Sequence, residues 1–168
     1  AIIGDPRNDE NILVAQTHLA FLKFHNAVVD RIRTEQPSLN DDEVFELAKE
    51  TVTLHYQWIV VNDFLPTIAD PDIVNQTFEY GNQYFVHRSG HPRKMIMPVE
   101  FSVAAYRFGH SMVRNQYKMN DIQTRDTEFM DIFRLTGKKL PQEFIIDWNK
   151  FFKIASNFQG NFARKIDS

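Results

Sequence analysis

The stretch Asn8–Pro37, NDENILVAQTHLAFLKFHNAVVDRIRTEQP, decides the fold class. Within it Ile12, Ala15, Leu19, Leu22, Val29 and Ile32 keep the spacing of one helix face, interrupted only by Asn26. Asn8 or Asp9 is placed to cap its start, and Pro37 lies beyond its end. Immediately downstream, Asn40 followed by Glu43 reads as a capping-box variant opening a second helix. The second stripe runs Val44, Leu47, Thr51, Leu54, Trp58, Val61, Leu65 and is expected to stop at Pro66. Two long amphipathic helices in succession predict a mainly α chain.

From Ala69 to Met97 the pattern is irregular, with turn signals at Tyr80-Gly81-Asn82, Ser89-Gly90 and His91-Pro92. A long excursion is expected there, with a short extended stretch at Gln83 to His87. Pro98 suits a first helical position and Glu100 favours the N-terminal dipole, so a third helix is expected from Val99 to about Arg114. Shorter helices are expected at Thr127 to Leu135, closed by Gly137, and at Pro141 to Phe152.

Composition narrows the function. The 168 residues suffice for one domain with a sizeable core, and 43% hydrophobic with 24% charged residues is a globular composition. No apolar run reaches the roughly 18 residues of a membrane span, and the first residues carry no basic, apolar secretory signal. With 19 basic and 22 acidic side chains, a net charge of -3 gives no general attraction to nucleic acid. The lack of cysteine excludes disulfides, thiolate metal sites and thiol catalysis. Fifteen phenylalanines make a wide aromatic core, built around a large planar ligand or simply well filled.

The nucleotide-loop, zincin, serine-hydrolase and EF-hand motifs are missing. Two segments remain. The loop Gly4-Asp5-Pro6-Arg7-Asn8-Asp9-Glu10 delivers a guanidinium and a carboxylate three residues apart at a helix start. On the third helix Val103, Arg107, His110 and Arg114 fall on one face, where one imidazole flanked by two guanidiniums suits an iron and the carboxylates of its cofactor. Gly109, without a Cβ, lets a flat macrocycle or another backbone approach. The alternative stays open: a hydrogen-bonded core histidine, a helix-packing glycine and surface arginines. His18 and His25, seven apart, share a face as two metal ligands would, or as two polar groups bonded to backbone.

These segments resemble the animal-type haem peroxidases. The loop, followed by His18-Leu19-Ala20-Phe21-Leu22-Lys23-Phe24-His25-Asn26, is similar to the family's Gly-Asp-x-Arg-x-x-Glu loop and the helix after it. Arg107-Phe108-Gly109-His110 resembles the family's proximal-histidine segment, Arg-(Tyr/Phe)-Gly-His. The stretch from Leu140-Pro141 to Ala163-Arg164-Lys165-Ile166-Asp167 resembles the cysteine-free bacterial branch. The resemblance implies that residues 1–168 form the central part of a helical peroxidase domain, with a long irregular segment between the second and third helices.

It further implies haem b, with His110 as axial iron ligand, Arg107 beside the propionates and Arg7 as the guanidinium that polarises peroxide. Glu10 matches the position that forms an ester to a haem methyl in mammalian members. The implied partners are hydrogen peroxide and a halide or small organic donor, and the implied location is outside the cell. Asn11 stands where some members carry a haem-linked methionine, so that bond cannot form. Arg107, three before His110, replaces the radical-forming tyrosine of the family's fatty-acid dioxygenase branch, with Tyr106 one residue off that register. The family's distal histidine, second ester-forming aspartate and calcium loop would precede this chain, and the asparagine that bonds the proximal imidazole would follow it. Missing flanking segments are therefore expected partners. Two alternatives accompany the peroxidase reading, a fatty-acid dioxygenase and a non-catalytic haem-binding or structural fragment of a split domain.

Overall fold

The structure is a computed structural model that describes residues 3–81, 97–135, 137–154 and 160–161. Its elements are mainly helical, and they gather into two units: Ala1–Ala20 with Met97–Ser168, and Phe21–Ile96. Helix α1, Ile12–Glu35, begins in the first and continues into the second.

In the second unit, α1 packs against α2, Asp41–Ile59. Val28 and Ile32 meet Val44 and Ala48 in a buried cluster, flanked by Phe24, Leu39 and Leu47. Rings extend the seam, with Phe21 on Tyr56 at 5.5 Å, Phe24 on His55 at 5.3 Å and His25 on Phe45 at 5.6 Å between centroids. The predicted capping box is present: Asn40 Oδ1 accepts from Asp42 N and Glu43 N, both at 3.0 Å, and Glu43 Oε2 accepts from Asn40 N at 2.9 Å. Asn40→Ala deletes the acceptor of both amides, and a loss of about 1 kcal/mol is expected in chemical denaturation, with Asn40→Ser close to wild type.

Pro66 does not stop the second helix. The chain widens into a π turn at Val60–Phe64, where Leu65 N–H reaches Val60 O, and α3, Leu65–Ile68, carries it through the proline. A proline lacks the N–H for the regular ladder and its ring crowds the preceding turn, so a widened turn accommodates it. The stretch read as irregular also opens with a helix, α4, Pro71–Tyr80, capped by Asp70 and ended by Gly81 at φ +75°. Its Asp-Pro start is a local cap signal that the apolar pattern obscured. The extended stretch expected at Gln83 to His87 lies outside the described residues.

In the first unit the cap of α1 is Asn11, whose Oδ1 accepts from Leu13 N and Val14 N at 3.0 Å. Asn8 and Asp9 instead belong to a 3-10 turn, Pro6–Asp9. The core joins Ile12 to Met119, Ile132 and Ile146, with Tyr117, Phe144, Trp148 and Phe151 around them. Strand β1, Gln116–Tyr117, pairs antiparallel with β2, Thr127–Glu128, in the register Gln116↔Glu128 and Tyr117↔Thr127.

Two expected helices of this unit are corrected. Thr127 to Leu135 splits into β2 and a single turn, α6, Asp131–Arg134, with Gly137 beyond it at φ +69°. Pro141 to Phe152 forms two 3-10 turns, Gln142–Phe144 and Trp148–Lys150, separated by extended backbone at Ile145. Distant side chains take the backbone groups that a helix would use. Gln16 Nε2 donates to Phe144 O at 2.9 Å while its Oε1 accepts from Ile146 N at 2.8 Å. Asn120 Nδ2 donates to Gln142 O at 3.0 Å and Ile145 O at 2.7 Å. Buried Asn120 is itself satisfied, since Oδ1 accepts from Ile122 N and Gln123 N.

Candidate functional site

The third helix is not continuous. Helix α5, Val99–Val103, ends at Ala104, where φ −127° and ψ −72° leave the helical region, and a 3-10 helix runs from Ala105 to Met112. Side chains in this segment turn back on carbonyls three residues earlier: His110 Nδ1 on Arg107 O at 2.9 Å and Ser111 Oγ on Phe108 O at 2.7 Å. With three residues per turn, Arg107 and His110 still stack on one face. Val103 precedes the break and Arg114 follows the turn, so the expected four-residue face contracts to this pair.

The bond from His110 fixes its chemistry. A carbonyl oxygen only accepts, so Nδ1 carries the proton, and in the neutral ring the lone pair sits on Nε2. His110 is exposed, which overturns the core-histidine alternative. Among the described residues a Cβ at Gly109 would meet no atom within 4 Å, so none of their helices packs on this glycine. Met97, Val99, Val103 and Tyr106 in the same segment are exposed apolar side chains. An accessible imidazole with its Nε2 lone pair set outward by a hydrogen bond, open space beside Gly109 and an arginine on the same face fit the donors that a haem takes.

The other two site residues lie in the first unit as well, in the loop before α1. Asp5, extended at φ −138°, caps the Pro6–Asp9 turn by accepting from Arg7 N at 2.9 Å. Its carboxylate also forks onto the Arg7 side chain, with Nη2 to Oδ2 at 2.6 Å and Nε to Oδ1 at 3.0 Å. Glu10 is exposed and near enough to act electrostatically on Arg7. Asp5 has no role in the sequence-based expectation, although the Asp-Pro-Arg order carried the signal: a cap, a fixed φ and a guanidinium within two residues.

The Arg7 side chain, and then its backbone amide, lower the Asp5 carboxyl to about 2, while Asp5 raises the Arg7 guanidinium. A depressed carboxyl stabilises the fold above its ordinary pKa of 3.8, and that contribution is lost as pH falls through about 2. Carboxyl-carbon NMR is therefore expected to show Asp5 titrating near 2; a midpoint near 3.8 would mean that the pair does not form in solution.

The pair His18 and His25 is only partly buried, and His25 lies against the Phe45 ring. Among the described residues no group of three or more His, Asp or Glu side chains could hold a metal ion, and no helix is long and apolar enough to cross a membrane. A cleft of about 330 Å³ in the first unit, lined by Gln123, Arg125, Asp131, Glu143 and Phe144 among others, contains none of Arg7, Glu10, Arg107 or His110.

The family model for animal haem peroxidase matches residues 1–164. The chain belongs to the animal haem peroxidase family. Among relatives, a peroxidase-like protein of Margaritifera margaritifera is 32% identical over 112 residues, covering 67% of this chain and 14% of that protein. The dual oxidase of Drosophila melanogaster is 29% identical over 112 residues, 67% of this chain and 7% of its own length. A chorion peroxidase of Aedes aegypti is 26% identical over 149 residues, 84% of this chain and 18% of its own. The chain thus spans less than a fifth of each of these relatives. Membership makes peroxidase-type chemistry, and haem, properties of this chain's family.

Proposed function

We propose that residues 1–168 are the central part of a haem-dependent peroxidase domain that reduces hydrogen peroxide and oxidises a halide or a small organic donor. The observation that carries this reading is the setting of the exposed His110 ring in Arg107-Phe108-Gly109-His110: Nδ1 is tied to Arg107 O, which leaves the Nε2 lone pair outward, with Arg107 on the same face and open space beside Gly109. Haem, when bound, supplies the iron that takes up peroxide and passes its oxidising power to the donor. His110 would hold that iron, with its Nδ1–H keeping the ring in one tautomer. Arg107 is assigned to a propionate, because a carboxylate held away from water needs a cationic partner. Arg7 is assigned to polarise the peroxide O–O bond as a fixed hydrogen-bond donor. Glu10 is assigned to the ester with a haem methyl, and an extracellular place of action belongs to the same reading.

A second reading rests on the chain's small share of its relatives: a haem-binding part that needs flanking peroxidase segments for turnover. A distal general base supplied by such a segment would contribute about 10²–10⁴-fold. The deciding experiment supplies haemin and follows oxidation of iodide and of an aromatic amine with peroxide. Turnover by the chain selects the first reading, and turnover only with the flanking segments added selects the second. Oxygen uptake with a fatty acid and no peroxide would replace both with the dioxygenase activity.

A further inference from the structure

Arg7 is held in an unusual way for a residue so accessible. Its side chain is 81% exposed, yet both oxygens of one carboxylate grip it. Asp5 Oδ1 accepts from Arg7 N and from Nε, and Oδ2 accepts from Nη2 and, at 3.2 Å, from Nε. Between them Pro6 fixes one backbone angle, so cap, ring and fork act within three consecutive residues. An exposed ion pair is ordinarily worth little, but a bidentate fork that shares its acceptor with a backbone cap restricts the side chain as well as attracting it.

The edge that Asp5 uses is Nε–Nη2. Nη1 has no partner among the described residues, and the guanidinium's far end is left to face an outside acceptor. A long arginine side chain loses rotamer freedom whenever a ligand orders it; here that ordering precedes the ligand. The carboxylate also cancels the guanidinium's net charge, so the held group works as an oriented hydrogen-bond donor more than as a bare cation. That suits a small neutral oxygen ligand such as peroxide better than a large anion.

We propose that Asp5 is the positioning residue for Arg7, gripping its Nε–Nη2 edge so that the Nη1 end is presented to peroxide. The inference rests on the reading of Arg7 given above.

Its test has a readout independent of turnover. In the 15N-labelled chain, Asp5→Asn keeps an acceptor for Arg7 N but removes the charged fork. The Arg7 Nε–H is expected to exchange with water about three- to tenfold faster in this variant, with the amides of α1 unchanged. Asp5→Ala, which deletes the cap too, is expected to speed both the Nε–H and the Arg7 amide. Equal Nε–H exchange in Asp5→Asn and wild type would overturn the proposal. In the haemin-loaded chain, with flanking segments if turnover needs them, Asp5→Asn is expected to lower the rate of peroxide consumption while haemin affinity stays the same. An unchanged rate beside faster Nε–H exchange would overturn the link to peroxide. Failure of the wild-type chain to take up haemin would instead fall on the functional reading, with the exchange comparison still deciding the grip of Asp5 on Arg7.

Discussion

Haemin titrated into the His110→Ala chain is expected to bind more than about 100-fold more weakly than to wild type, with loss of the histidine-bound Soret band. Residues that merely orient a metal-bound histidine change affinity by roughly 10–100-fold, so removal of the ligand exceeds that range. The matched control is His55→Ala. His55 makes the same kind of bond, Nδ1 to Thr51 O at 2.8 Å, so a ring tied to a helix carbonyl is common to both histidines. What sets His110 apart is its surroundings: Arg107 on the same face of a tight turn, and Gly109 with open space where a Cβ would be. Equal loss in the two variants would show that haemin is attracted to imidazoles in general.

The second large effect is on stability. Ile12 is 1% exposed and joins Met119, Ile132 and Ile146, directly after the loop that carries Arg7 and Glu10. Ile12→Ala removes three carbons from a closed cluster, at an expected loss of about 2–5 kcal/mol, while Ile12→Val is expected to cost about 0.5–1.5 kcal/mol. Whole domains are stable by only about 5–15 kcal/mol, so the alanine variant approaches unfolding of the first unit. Urea denaturation followed by fluorescence reads this directly, because Trp148 packs on the same cluster whereas Trp58 is exposed. The midpoint is expected to fall with the slope unchanged. Wild-type midpoints in both variants would mean that this cluster does not hold the unit together.

What was legible in the sequence follows from how local its cause is. The first two helices and the Asn40–Glu43 capping box depend on residues within a turn of one another and are present, although Asn11 and not Asn8 or Asp9 caps the first and the second passes Pro66 through a π turn. The mainly helical class followed from the same kind of signal, and the family from the resemblance of the Gly4–Glu10 loop and Arg107-Phe108-Gly109-His110 to its motifs. The segment from Pro141 to Phe152 did not, because its backbone is claimed by Gln16 and Asn120, more than twenty residues away along the chain. Local periodicity carries no trace of such competition. The break at Ala104 was likewise hidden, since its φ −127° and ψ −72° leave the helical region at an alanine that carries no break signal of its own. The face of four residues read from α-helical spacing therefore shrank to Arg107 and His110. Asp5 was within reach of inspection, two residues from Arg7, but its double use of both carboxylate oxygens is a matter of geometry.

Placement of the iron on His110 is tested most directly by adding haemin to the chain with its six histidines 15N-labelled. The His110 ring resonances are expected to be lost or displaced first, in proportion to bound haemin, while those of His55 keep their positions. Unmoved His110 signals beside displaced signals from another histidine would contradict that placement.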